Sequence, residues 1–132
     1  MDDWSIVGII LIVLVVVVSV LMVFRFGGED SWIQDSRGVW IKHGNPSKVP
    51  EHVLEQHRLI DASLELYSKL IESRVEINSQ CLGVVGDYAV DIVSVPRSVE
   101  DDLAENQCVE FNSGVVGHFI ELDRGGQVVR IV

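Results

Sequence analysis

Two cysteines, Cys81 and Cys108, and four histidines, His43, His52, His57 and His118, carry the richest side-chain chemistry in this chain of 132 residues. Their spacing speaks against a recognisable catalytic or metal centre. A structural zinc site needs clustered ligands, and neither cysteine has a second in a C-x-x-C frame. His52 and His57 stand about 140° apart on a helix, which misses the i,i+4 spacing of an H-E-x-x-H site. No G-x-S-x-G elbow supplies a serine nucleophile, and neither cysteine has a known nucleophile's context. A Cys–His pair assembled by the fold would make the chain an enzyme, and that is kept as a third reading. The even cysteine count fits a Cys81–Cys108 disulfide in an oxidising compartment, with burial as two thiols as the alternative. Such a bond would close a loop of about 27 residues and contribute about 3–4 kcal/mol of chain entropy. It would clamp the acidic segment before Cys108 to the entry of a strand near Tyr88. The expectation is therefore no catalytic residue, no metal ligand and no cofactor.

Other patterns are equally sparing. Gly83-Val84-Val85-Gly86 lacks the Lys-Ser/Thr of a P-loop and any G-x-G-x-x-G frame. Its echo at Gly114–Gly117 reads as two strand entries bracketed by glycine. The acidic group Glu100, Asp101, Asp102 and Glu105 has no glycine at the sixth position of an EF-hand register, and a solvated face accounts for it. The best recognition surface in the sequence is Trp32, Arg37, Trp40, His43 and Asn45. It combines two indoles, a guanidinium, an imidazole and a rigid Asn45-Pro46 turn. The competing reading is that both indoles seal a sheet or touch lipid headgroups.

The elements that must position these residues follow from periodicity. Trp32–Gln34 and Val39–Lys42 are β-prone and flank Asp35-Ser36-Arg37-Gly38, which predicts a hairpin with Gly38 at positive φ. His43 to Ser47 is turn chemistry. A long amphipathic helix follows to about Arg74, with Pro50 in its first turn and Ser47 as the expected cap. Val53, His57, Ile60, Leu64, Tyr67 and Ile71 share its apolar stripe, which Leu59, Leu66 and Leu70 widen on one side, while Glu51, Glu55, Arg58, Asp61, Glu65, Lys69 and Glu72 lie opposite. Tyr88–Val95, Val115–Leu122 and Gln127–Val132 read as strands. An acidic loop spans Arg97–Gln107, and a second hairpin turn falls at Asp123–Gly126. The expected fold is α+β, with the long helix packed on an antiparallel sheet.

Ahead of this domain stands Ile6–Phe24, which is uncharged and reaches about 28 Å as a helix, close to the thickness of a bilayer core. It is too long for the apolar core of a cleaved signal, lacks a basic flank and is followed by no A-x-A site, so it reads as an uncleaved anchor. The division is 1–24 anchor, 25–31 linker with Gly27 and Gly28, and 32–132 soluble domain. Both acids ahead of the run, Asp2 and Asp3, leave 18 acidic and 10 basic residues from Arg25 onward, a formal charge of −8. Such a domain is repelled by phosphate backbones, which excludes nucleic acid as a partner class. Arg25 after the helix favours a cytoplasmic domain by the positive-inside rule. The cysteine pair favours the other side, and that side is adopted.

The segments Trp32-Ile33 with Trp40-Ile41-Lys42-His43-Gly44-Asn45-Pro46-Ser47, Tyr88-Ala89-Val90-Asp91-Ile92-Val93-Ser94-Val95-Pro96-Arg97 and His118–Asp123 resemble a group of small proteins. These are anchored or lipoprotein-type proteins of archaea and uncultured bacteria that have no assigned function. The resemblance implies an outward-facing domain and no activity. The resulting expectation is a single-pass membrane protein, held in the bilayer by Ile6–Phe24, that presents a small acidic interaction domain to a protein partner outside the cytoplasm. The alternative is a cytoplasm-facing accessory subunit of a membrane complex.

Overall fold

A computed structural model describes residues 3–26, 30–74 and 77–132, so the expected Gly27-Gly28 hinge lies outside the described residues. These residues fall into two compact units. One holds α1 (Asp3–Phe26) with Lys42–Ser47; the other holds Trp32–Ile41 and the chain from Lys48 onward. Helix α1 runs on through Arg25 and Phe26, into the stretch expected as linker. Its segment Trp4–Val23 is 20 residues long with none of it buried, and it is the one described helix long and apolar enough to cross a membrane. Within Ile6–Val23 the one hydroxyl, on Ser19, donates to the Val15 carbonyl at 2.8 Å. That bond leaves this stretch no free side-chain donor for lipid to solvate.

In the second unit the fold is α+β, as expected. Strands β1 (Ser31–Gln34) and β2 (Trp40–His43), of which Trp32–Gln34 and Trp40–Ile41 belong to this unit, form a two-stranded sheet. Between them, Asp35 Oδ1 accepts the Arg37 and Val39 N–H groups, and Gly38 sits at φ 82°. The turn at Asp123–Gly126 repeats this device: Asp123 Oδ1 accepts from Gly125 and Gln127, with Gly126 at φ 77°. Both turns are Asp-x-x-Gly. An aspartate that bonds the turn backbone and a glycine that tolerates positive φ are what such a turn requires.

Helix α2 spans Glu51–Glu72. Ser47 is not its cap. Pro50 takes the N-cap position and makes no side-chain cap bond. Its carbonyl receives the first helical N–H groups, from Val53 and Leu54. Glu51 then faces the positive end of the helix dipole. The helix stops where Arg74 turns to φ 53°, the left-handed conformation that commonly follows a helix end.

The main sheet has the order β3-β4-β5-β6, with β3 Cys81–Val85, β4 Tyr88–Ile92, β5 His118–Leu122 and β6 Val128–Ile131. Its outer pairs are antiparallel, while the central pair β4/β5 is parallel, so the sheet is mixed. A parallel pair needs a crossover. Here it runs from Val93 to Gly117 with a 3₁₀ turn at Glu100–Asp102 and a short helix α3 (Val109–Asn112). One face of the sheet buries Val90, Ile120, Leu122 and Ile131 against α2. On the other face Ala89, Cys108 and Val116 pack with Phe111 and Phe119 beneath the crossover. At the β6 edge, the Ile131 N–H donates to the Arg37 carbonyl at 2.8 Å. The β1–β2 turn thereby covers a row of edge groups that would otherwise invite another strand.

Candidate binding groove and buried carboxylate cluster

The β1–β2 hairpin is fixed to α2 by one buried side chain. Gln56 Oε1 accepts the Trp40 N–H at 2.8 Å, and its Nε2 donates to the Gly38 carbonyl at 2.9 Å. His57 Nε2 lies 2.8 Å from the Trp40 carbonyl. Each indole then meets a histidine of α2. Trp32 stands edge-on to His57 with centroids 6.0 Å apart, and Trp40 does the same to His52 at 4.8 Å. The two indoles do not need each other as partners, because the helix supplies an imidazole for each.

Beside Trp40 opens a groove of about 450 Å³ lined by Trp40, His52, Glu55, Asp87, Tyr88 and His118, among others. Tyr88 and His118 are opposite each other in the parallel β4/β5 register, and their rings stack at 4.9 Å. The Asp87 carboxylate lies 3.8 Å from His118 Nε2 and accepts the Gly117 N–H at 3.2 Å. Burial, followed by the negative charges of Glu55 and Asp87, raises the Tyr88 phenol above its ordinary pKa. No Lys or Arg side chain lines the groove among the described residues.

A second cluster lies on the opposite face of the sheet. Asp91 and Glu121 are register partners across β4/β5, and both are almost fully buried. Arg97 donates to Glu121 Oε2 at 2.8 Å, and Arg130 donates to the same carboxylate through two N–H groups at 3.0 and 3.1 Å. The Arg130 guanidinium also lies 4.8 Å over the Phe119 ring. Hydrogen bonding to Glu121, more than to Asp102, strengthens the hold of Arg97 on its proton. Asp91 has no comparable support, and its Oδ1 has no hydrogen-bond partner. Burial pushes its carboxyl up to about 6. The Cys108 N–H and Arg97 oppose that rise, and Glu121 adds to it. The adjoining cavity measures about 80 Å³. With both Glu121 oxygens occupied by guanidinium groups, the cluster offers no free base beside Asp91. Its chemistry is that of a buried, pH-sensitive support for the crossover.

Cys81 and Cys108 are joined by a disulfide that ties the start of β3 to the crossover. Glu110 lies close to both sulfurs, but bonded sulfurs present no thiolate to a metal. A further depression of about 470 Å³ borders the crossover near Gln80, Ser94, Ser98 and Asp101. Asp101 accepts there from the Ser94 N–H, the Ser98 N–H and the Ser98 hydroxyl, which makes it a backbone clip.

Of the five residues singled out for recognition, only Trp40 lines the groove. Trp32 donates its indole N–H to the Lys48 carbonyl at 3.0 Å, and Arg37 is engaged by Asp35 at 2.6 Å. His43 and Asn45 belong to the other unit, where the Asn45 N–H donates to Asp30 and Asn45 Oδ1 accepts from Lys42. Sequence reasoning missed Glu55, Asp87 and Tyr88 as a group. The helical pattern marks Glu55 only as solvent-facing, and the parallel strand pairing that brings Tyr88 to His118 has no local signature. Neither protein-family models, nor curated proteins, nor solved structures give a significant match to this chain.

Proposed function

We propose that the chain is a single-pass membrane protein that presents its acidic α+β domain as a binding module outside the cytoplasm. The observation that carries this reading is the Cys81–Cys108 disulfide. A structural disulfide persists in oxidising compartments and is rare where thiols are kept reduced. The apolar span Trp4–Val23 of α1 supports anchorage, since a helical stretch hydrophobic on every side has no way to hide from water except in lipid or against other protein. The aromatic and acidic groove beside Trp40 supplies the binding surface. The domain then works by presenting that groove to a partner at the membrane surface.

The test is thiol labelling in intact cells that express the full chain. With a membrane-impermeant maleimide, the protein stays unlabelled until an impermeant phosphine reductant is added, and then takes up label at Cys81, the partly exposed member of the pair. Labelling that requires lysis, with or without reductant, would put the domain in the cytoplasm and favour the accessory-subunit reading.

A further inference from the structure

We infer that the groove beside Trp40 binds a basic segment of a partner protein, with a Lys or Arg side chain entering between its aromatic walls and its two carboxylates. This inference rests on the binding-module reading and names the occupant. The cavity, about 450 Å³, is large enough for a long side chain and its flanking backbone. Trp40 and Tyr88 line it with rings of the kind that attract ammonium and guanidinium groups, one face of Tyr88 being stacked on His118. Glu55 and Asp87 add formal negative charge on the helix side and the strand side respectively.

No Lys or Arg side chain competes inside the groove among the described residues, and the one ring nitrogen near its carboxylates, His118 Nε2, stands 3.8 Å from Asp87. On the flanking elements, Arg37 is closed onto Asp35 at 2.6 Å, and Arg58 lies 3.9 Å from Glu51. The groove therefore keeps its negative potential, and the surrounding chain extends it, since residues from Arg25 onward carry a formal −8. That excess distinguishes a multiply charged segment from a small lone cation. A lone cation gains only from the two groove carboxylates, whereas several spaced positive charges also meet the acidic surface within a Debye length of about 8 Å. Anionic headgroups and nucleic acid are repelled by the same field.

The experiment uses the full chain in nanodiscs of zwitterionic lipid at physiological salt. Binding of a fluorescein-labelled nonapeptide with alternating Lys and Gly is followed by anisotropy. Two matched peptides, with Gln or Glu in place of Lys, are run beside it. Glu55→Gln with Asp87→Asn should weaken the Lys peptide about tenfold, and Trp40→Leu by several-fold. Asp61→Asn with Glu72→Gln removes the same charge from exposed positions of α2 outside the groove, and should change affinity less than twofold. Equal loss in both double variants, or no binding of the Lys peptide to the wild-type chain, overturns the inference. If the Gln or Glu peptide binds instead and Trp40→Leu abolishes it, the occupant is wrong and the groove still binds. If no peptide of any charge binds, the binding-module reading falls as well.

Discussion

Replacing Asp91 by Asn should stabilise the protein at neutral pH and leave it unchanged in acid. Asp91 is about 3 % exposed and its Oδ1 is unpartnered, so its charge is costly where it sits. Burial raises the carboxyl from the ordinary 3.8 to about 6. At about 1.4 kcal/mol per pKa unit, that difference amounts to about 3 kcal/mol. The sign follows from which form folding prefers. The folded state holds the proton more tightly than the unfolded chain, so the stabilising contribution is complete below about pH 4 and is lost as pH rises through about 6. Above that range the folded protein carries an ionised Asp91 facing Glu121 from β5, Arg97 and Asp102 from the crossover and Arg130 from β6. Asparagine keeps the shape and cannot ionise. Urea unfolding of wild type and Asp91→Asn, followed by tryptophan fluorescence in detergent from pH 4 to 8, measures the difference directly. The variant should gain up to about 3 kcal/mol over wild type between pH 4 and pH 7, and the gain should plateau above. Asp101, whose carboxyl is lowered by the Ser98 and Ser94 N–H groups against the effect of burial, is common to both proteins and cancels. A gap that is constant with pH, or that widens toward acid, would refute the argument.

Three further outcomes test the packing. Gly38→Ala should cost about 2–4 kcal/mol in thermal or urea unfolding, because φ 82° disfavours an L side chain and a Cβ there would collide with the Ile131 carbonyl. Gln56→Ala should cost about 1–3 kcal/mol, since it strands the Trp40 N–H and leaves the Gly38 carbonyl with only the 3.3 Å bond from Gln34 Nε2. Amide exchange at Trp40 should accelerate in the same variant. Reducing Cys81–Cys108, which are 27 residues apart, should lower unfolding free energy by about 3.5 kcal/mol, read as a lower urea midpoint with reductant.

The apolar helix near the N-terminus, the α+β class, both Asp-x-x-Gly turns and α2 were legible because each rests on local periodicity or turn chemistry. Within α2 the buried face follows the side that Leu59 and Leu66 widen, where both pack on the core. Val53, Ile60 and Tyr67 do face inward, but Ile71 is half exposed, while Gln56 and Ser63 are buried. Gln56 is drawn in by the hairpin backbone, and the Ser63 hydroxyl is spent on the Leu59 carbonyl at 2.7 Å. No hydrophobicity pattern marks a polar residue recruited in that way. Strand β4 ends at Ile92, where the expected run to Val95 gives way to a Ser94 N–H captured by Asp101. The parallel β4/β5 pair depends on a crossover whose segments are short and polar, and it alone brings Asp91 opposite Glu121 and Tyr88 opposite His118. Asp91 and Glu121 occupy alternate strand positions that read as solvent-facing. They are buried because the crossover, held by the disulfide, lies over that face. Candidate sites made by long-range pairing were therefore invisible, and the disulfide that builds one of them was not.

The central claim is that α1 spans the bilayer and holds the domain outside. Protease digestion of sealed membrane vesicles in the two orientations tests it without relying on cysteine chemistry. In right-side-out vesicles, added protease should remove the domain spanning residues 32–132 and leave a membrane-retained fragment containing α1. In inverted vesicles the same domain should be protected until detergent is added. The opposite pattern, or release of the intact chain from the membrane by alkaline carbonate, would contradict the account.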